Sequence, residues 1–245
     1  MSQTATFPAL LIDTETTGKS ESPQVIEMAY LAMNEIPGKL HTGTFVSLYK
    51  PTIKIEFGAM ATHHIIPEDL EDARPHTEAL GDVPPATYWI GHNVEFDWKV
   101  LGSPPDVKMI DTLPMARHLF PDLDSHTQSA LIYYLGTSLG QPARARERLQ
   151  KAHSAKADVE NCNTILGLII NTARQQGHDV STWDAVYEFC EMTRIPTKMY
   201  FGKFSGQPMA YVDKGWRDWY KKQDNQCPYL LEALKNNPYN GLVYE

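Results

Sequence analysis

The spacing of apolar positions changes character along this chain. Residues 8 to 14 contain the unbroken run Leu10, Leu11, Ile12; residues 24 to 34 ("QVIEMAYLAMN") and 41 to 50 ("HTGTFVSLYK") are further extended runs, and Gly, Pro and Ser clusters separate the three. Apolar runs bounded by turn residues predict strands, and three in succession predict an antiparallel meander. Beyond it, "FGAMATHHI" and "PEDLEDARPHTEAL" predict short helices, "TYWIGHN" a strand, "VEFDWKVLG" a helix and "VKMIDT" a fifth strand. From Thr112 to Thr172 the pattern is largely helical, ending in a long segment where Val159, Cys162, Ile165, Leu166 and Ile169 recur at spacings of three and four and define one buried face. A polar stretch, "QQGHDVST", and a helix bearing Trp183, Val186, Tyr187 and Cys190 lead into a tail of different composition. Strands followed by alternating helices and strands predict an α/β fold with a mixed sheet flanked by helices.

Composition narrows this to an ordinary globular chain. With 245 residues and 42% hydrophobic content, it can bury a full core and is expected to form one main domain with a smaller appendage. No apolar run approaches the roughly 20 residues that span a bilayer, and "MSQTATFPALL" lacks the basic and apolar regions of a secretory signal, so no membrane partner and a cytoplasmic location are the default expectation. Cys162, Cys190 and Cys227 are far apart and form no C-x-x-C pair, which argues against a disulfide framework or a zinc site. The formal net charge of -8 argues against a protein that coats nucleic acid through bulk positive charge, but not against an enzyme whose bound cations meet the phosphate.

The chemistry is concentrated in acids. "LLIDTETTG" sets Asp13 and Glu15 one residue apart at the end of a buried strand, where charge needs a cation, a basic side chain or water to neutralise it. Asp97 sits early in the helix of "GHNVEFDWKVLG", and Asp158 one turn into the long helix, five residues after His153. The set Asp13, Glu15, Asp97 and Asp158, with His153 in an H-x-x-x-x-D spacing, resembles the DEDDh 3′-5′ exonucleases of the DnaQ-like, RNase H-like superfamily. The resemblance spans roughly residues 7 to 173. It includes the Thr-Thr-Gly after Glu15, the second-strand "VIEMA" with Glu27, "AMATHHI" around His63, and Asn93 ahead of Asp97.

That resemblance implies an RNase H-like mixed five-stranded sheet flanked by helices, arranged as an exonuclease domain over 1–175, a helical linker over 176–195 and a small C-terminal module over 196–245. It implies two Mg2+ ions, replaceable by Mn2+, with Asp13 bridging both, Glu15 and Asp158 completing one site and Asp97 orienting the other. Hard cations of this kind take carboxylate and phosphate oxygens, and a pair of them suits in-line phosphoryl displacement. His153 is expected as general base toward the attacking water, because its ordinary pKa near 6.5 suits neutral pH. Thr16, Met60, His63 and Asn93 are expected at the substrate, although Asn93 is also a natural helix cap and His63 with His64 a natural surface pair. The basic run Arg144, Arg146, Arg148, Lys151 either guides a phosphate backbone or is a solvated helix face.

After Pro196, "FGKFSGQPMAYV" and "GWRDWYKK" resemble the C-terminal module of exodeoxyribonuclease X-type proteins. From Arg194 to Lys222, seven basic side chains meet two acids, giving +5. The interleaved aromatics are expected to build a small core for the most part, with some lysines contacting nucleic acid. The implied activity is release of 5′-monophosphates from DNA 3′ ends or single-stranded DNA. An RNA or oligoribonucleotide exonuclease with the same site, and a catalytically silent nucleic-acid-binding module, are the alternatives. A homodimer and association with a polymerase are the assemblies the resemblance leaves open.

Overall fold

The computed structural model of the chain describes residues 7–36, 43–150 and 154–235. The first strand, β1 (Phe7–Thr16), has Ala9 to Ile12 fully buried, because both faces of the sheet are covered there. It pairs antiparallel with β2 (Val25–Met33), which pairs antiparallel with β3 (Phe45–Lys50), so the expected meander forms. On its other side β1 runs parallel to β5 (Ala86–Gly91), and β5 parallel to β6 (Lys108–Asp111). Leu10 and Ile12 join Met28, Tyr49, Trp89 and Val94 in one core cluster beneath the sheet.

With β4 (Arg74–Pro75) at one edge, the sheet has six strands in the order β4-β3-β2-β1-β5-β6, one more than the five expected. The extra strand, β4, lies in a stretch expected to be helical and pairs with Tyr49 and Lys50 of β3. Proline explains the difference: it disfavours helical backbone at Arg74 before it and donates no hydrogen bond itself, which suits a sheet edge. Single 3₁₀ segments, Pro67–Leu70 and His76–Asp82, flank it in place of longer helices.

Helices α1 (Phe57–His63), α2 (Val94–Val100), α3 (Thr112–Leu119), α4 (Gln128–Ser138) and α5 (Pro142–Leu149) precede the long α6 (Ala155–Gln175). The stripe Val159, Cys162, Ile165, Leu166 and Ile169 is buried, and α6 packs on β1 and β2. Next comes α7 (Trp183–Thr193), whose Asp184 accepts a hydrogen bond from the Tyr88 hydroxyl and lies 3.6 Å from Lys108 Nζ.

The chain divides into two compact units, Met1–Phe189 and Cys190–Glu245, and the division falls inside the stretch expected as a linker. In the second unit a short turn brings Lys198 opposite Pro208, with Met199 N–H donating to Gln207 O at 2.7 Å. Helices α8 (Lys214–Tyr220) and α9 (Pro228–Lys235) follow. Met199, Met209, Val212, Tyr220, Leu230, Ala233 and Leu234 form this unit's own core.

Candidate active site

Strand alternation places Asp13 and Glu15 on the face of β1 that α6 covers, while Thr14 points to the opposite face; the register shifts between Glu15 and Thr16, where the strand ends. Asp158, in the first turn of α6, completes the group: among the described residues, Asp13, Glu15 and Asp158 each offer a carboxylate oxygen within 4.8 Å of the others. Two segments about 145 residues apart in sequence thus meet at the carboxyl end of β1, beside the point where the strand direction changes between β2 and β5.

The electrostatics of this group are unfavourable without a counter-ion. Burial, then the charges of Asp97, Asp158, Glu15 and Glu27, hold the Asp13 carboxyl far above the usual range. Glu15 is pushed up to about 8, first by burial and then by Asp158, Glu27 and Asp97. Three hard oxygen donors converging where their own charges repel fit a divalent cation, which would discharge them.

Asp97 lies outside that group. It is buried on α2, and its Oδ1 accepts from both Thr14 N–H, at 2.9 Å, and Thr14 Oγ1, at 2.7 Å. Burial pushes its pKa up to about 7, and the Thr14 hydrogen bonds oppose the shift. The aim of α2 is set by Asp111 at the end of β6, whose Oδ1 accepts Asn93 N–H at 2.9 Å. Asn93 occupies the position before α2 with a left-handed φ of 74°, which asparagine tolerates, but its side chain makes no capping bond and is exposed.

The remaining expected residues distribute as follows. Thr16 is buried, its hydroxyl donating to Gly18 O at 2.9 Å within the turn after β1. Gly18 has φ 152°, and the Glu56 carboxyl leaves no room for a side chain there. Met60 is half-buried against Ile26, Ile55 and Leu70. His63 is only 5% exposed rather than a surface residue; its Nδ1 accepts Ile65 N–H at 3.0 Å, and its Nε2 has no hydrogen-bond partner among the described residues. Burial lowers its pKa, and the Thr16 backbone opposes this. Arg148 is tied to α6 by Asn161 Oδ1, at 2.6 Å, and Glu160 O, at 2.7 Å, so the structure spends it on packing. His153 and Lys151 lie outside the described residues.

One residue of consequence escaped the sequence reading as a site residue. Glu27 stands opposite Glu15 in the β1–β2 register, and its Oε2 accepts Ala155 N–H, the first amide of α6, at 2.7 Å in a buried setting. It therefore clamps the start of the helix that delivers Asp158. Its carboxyl is raised by burial and lowered by that hydrogen bond. The available signal was an acid in the otherwise apolar "VIEMAYLAM".

A model of the RNase_T family, an exonuclease family, matches residues 10–166. The chain belongs to this exonuclease family. Among curated relatives, "Exodeoxyribonuclease 10" of Escherichia coli (strain K12) is 28% identical over 237 residues, covering 92% of this chain and 96% of the relative. "DNA polymerase III subunit epsilon" of Treponema pallidum (strain Nichols) is 28% identical over 182 residues, covering 69% of this chain and 80% of the relative. Among solved structures, "Exonuclease X in complex with 5' overhanging duplex DNA" has a TM-score of 0.53 at 23% identity, covering 73% of this chain and 99% of that one, a similarity of fold. The exonuclease match runs from the second residue of the buried β1 run through Asp158 to Leu166, and so encloses every carboxylate of the cluster.

Proposed function

We propose that this exonuclease hydrolyses DNA from the 3′ end and releases nucleoside 5′-monophosphates, with Mg2+ as its working cation. The observation that carries the reading is the convergence of Asp13, Glu15 and Asp158 within 4.8 Å in a setting that raises Asp13 and Glu15. These three would hold one cation, and Asp13 together with Asp97 is assigned to a second. Bound divalent cations would stabilise the charge on the attacking and leaving oxygens of an in-line displacement.

The protein's own groups do the rest. Asp97 fixes the end of β1 through Thr14 and adds negative charge beside Asp13, which favours cation binding next to it. Glu27 and the Ser154 hydroxyl, which accepts Ala157 N–H at 3.3 Å, hold the first turn of α6 and with it Asp158. His153 is assigned as the base that takes the proton of the attacking water, a role that rests on its place one residue before Ser154 and on the H-x-x-x-x-D spacing. Thr16, Met60, His63 and Asn93 are assigned to the neighbourhood of the terminal nucleotide, with the Thr16 hydroxyl acting through the turn it closes. DNA is preferred over RNA as substrate because the full-length relative from Escherichia coli is named an exodeoxyribonuclease.

The test uses matched DNA and RNA oligomers of one sequence, labelled at the 5′ end and incubated with Mg2+. Successive shortening of the DNA from its 3′ end is expected, and chelation should stop it. Faster degradation of RNA, or immediate release of the 5′ label as a mononucleotide, would overturn the assignment.

A further inference from the structure

Among the described aromatic residues of the second unit, some build its core and others stay open to solvent. Tyr220 belongs to its core, and Phe204 and Trp216 pack against that core. Tyr200, Phe201 and Trp219 are 47%, 37% and 52% exposed, and Tyr211 is 57% exposed, although Phe201 also meets the core ring of Tyr220 at 6.4 Å. The local geometry accounts for the division. Met199 points inward and Tyr200 outward on the same extended segment, while on α8 Tyr220 is buried and Trp219 turns to solvent. Each of the exposed rings keeps a face open to water beyond its contacts within the unit.

Tyr200, Phe201 and Trp219 are joined into a row through the half-buried Trp216, each ring tilted by 56–58° to the next. Tyr200 and Phe201 centroids are 5.2 Å apart, Phe201 and Trp216 5.8 Å, and Trp216 and Trp219 5.6 Å. Trp216 is braced from behind by a parallel stack on Tyr220 at 5.2 Å with an 8° tilt, which makes the middle of the row rigid. The charge around it is inverted relative to the chain. Between Lys198 and Lys222 there are six basic side chains and two acids, a net +4 in a protein of net -8. One of the two acids, Asp213, is already engaged: it accepts Trp216 N–H at 2.7 Å and pairs with Lys203 at 2.9 Å.

We infer that this row is a binding site for single-stranded nucleic acid, on which successive bases stack while Lys198, Lys214, Lys221 and Lys222 meet the phosphates. Flat rings at the solvent face combined with a cationic surround are what a single strand needs, since every base presents a π-face and every linkage a negative charge. A neutral apolar partner would have no use for the lysines, and an acidic peptide none for the row of rings. The site belongs to the second unit alone.

The test measures binding by the full-length protein without hydrolysis, in chelator, using the fluorescence anisotropy of a labelled oligothymidylate and of an abasic phosphodiester chain of equal length. Trp219→Ala should weaken oligothymidylate binding roughly 5- to 150-fold, the effect of losing one stacked base, and leave the abasic chain unaffected. Trp219→Phe should restore most of the loss, and a Lys221→Ala, Lys222→Ala double variant should weaken both ligands alike. Unchanged oligothymidylate affinity in Trp219→Ala would overturn the inference, as would equal losses on both ligands or a shift from dimer to monomer in light scattering with binding intact. Because no cation is present, failure here leaves the exonuclease assignment standing, and loss of cleavage in the DNA and RNA assay leaves this site standing.

Discussion

Replacing Glu27 by alanine tests whether the start of α6 is held by the sheet. In the structure Glu27 Oε2 accepts the buried Ala155 N–H at 2.7 Å across 128 residues of sequence. Truncation strands that amide, and an unsatisfied buried donor costs about 1–3 kcal/mol. Loss of a carboxylate from a helix N-terminus adds up to about 2 kcal/mol in a partly buried geometry. Against this, burial and the neighbouring Asp158 both disfavour the Glu27 anion, so its removal relieves repulsion. The balance is a destabilisation of about 2 kcal/mol by the same ranges. Glu27→Gln keeps an acceptor oxygen without the charge and should lose no more than about 1 kcal/mol. The functional consequence is sharper, because Asp158 lies three residues beyond Ala155, and a misplacement of about 1 Å at a reacting centre can reduce turnover on the order of 100-fold. Urea denaturation and steady-state exonuclease kinetics with titrated Mg2+ would measure both effects. Glu27→Ala should lower kcat and raise the Mg2+ midpoint with little change in KM for DNA, and Glu27→Gln should recover most of each. A Glu27→Ala protein that is less stable yet matches wild type in kcat and Mg2+ midpoint would refute the positioning role.

Other expectations follow from the same geometry. Asp13→Asn should abolish hydrolysis while leaving the metal-free fold as stable as wild type or more so, because it removes a charge that burial and four neighbouring acids oppose; thermal melts with an activity assay decide this. Glu15 has a folded-state pKa of about 8 against an ordinary 4.5, so between those values the folded protein holds more protons and its metal-free stability falls as pH rises, levelling off above about pH 8. The melting temperature without cations should therefore drop between pH 5 and 8, less steeply in Glu15→Gln, and added divalent cation should flatten the drop; an identical slope in the variant would refute it. His153→Ala should reduce kcat at least about 100-fold at unchanged Mg2+ midpoint, as expected for loss of general-base catalysis. Arg148→Ala should destabilise the fold by about 1–3 kcal/mol, since it leaves buried Asn161 without its donor, and should leave the salt dependence of DNA binding unchanged.

Much of the architecture was legible because it is written in local period. The run Leu10 to Ile12, the meander, and the stripe from Val159 to Ile169 each depend only on which residues share a face, and the structure buries them as the spacing requires. The single-residue separation of Asp13 and Glu15 was equally informative, since any strand puts both on one side. Where the expectation of a helix met Pro75, a local rule was overruled by another local rule, and an edge strand formed. His63 is a different case. Its pattern suited an exposed pair as well as a residue near the substrate, and the packing of α1 beside the turn after β1 buries it.

The sequence by itself determined most of the elements, the buried faces of β1 and α6 and the identity of the acids. Tertiary structure decided which acids meet. Asp13, Glu15 and Asp158 converge while Asp97 turns to Thr14, Glu27 reaches α6 instead of solvent, Arg148 is consumed by Asn161, and Trp219 is left facing water while Tyr220 is not. The physical reason is range. Periodicity depends on neighbours within a turn or a pleat, but strand register and helix packing join residues more than a hundred positions apart, and burial, which sets both the proton affinity of a carboxylate and the exposure of a ring, exists only once those distant contacts have formed.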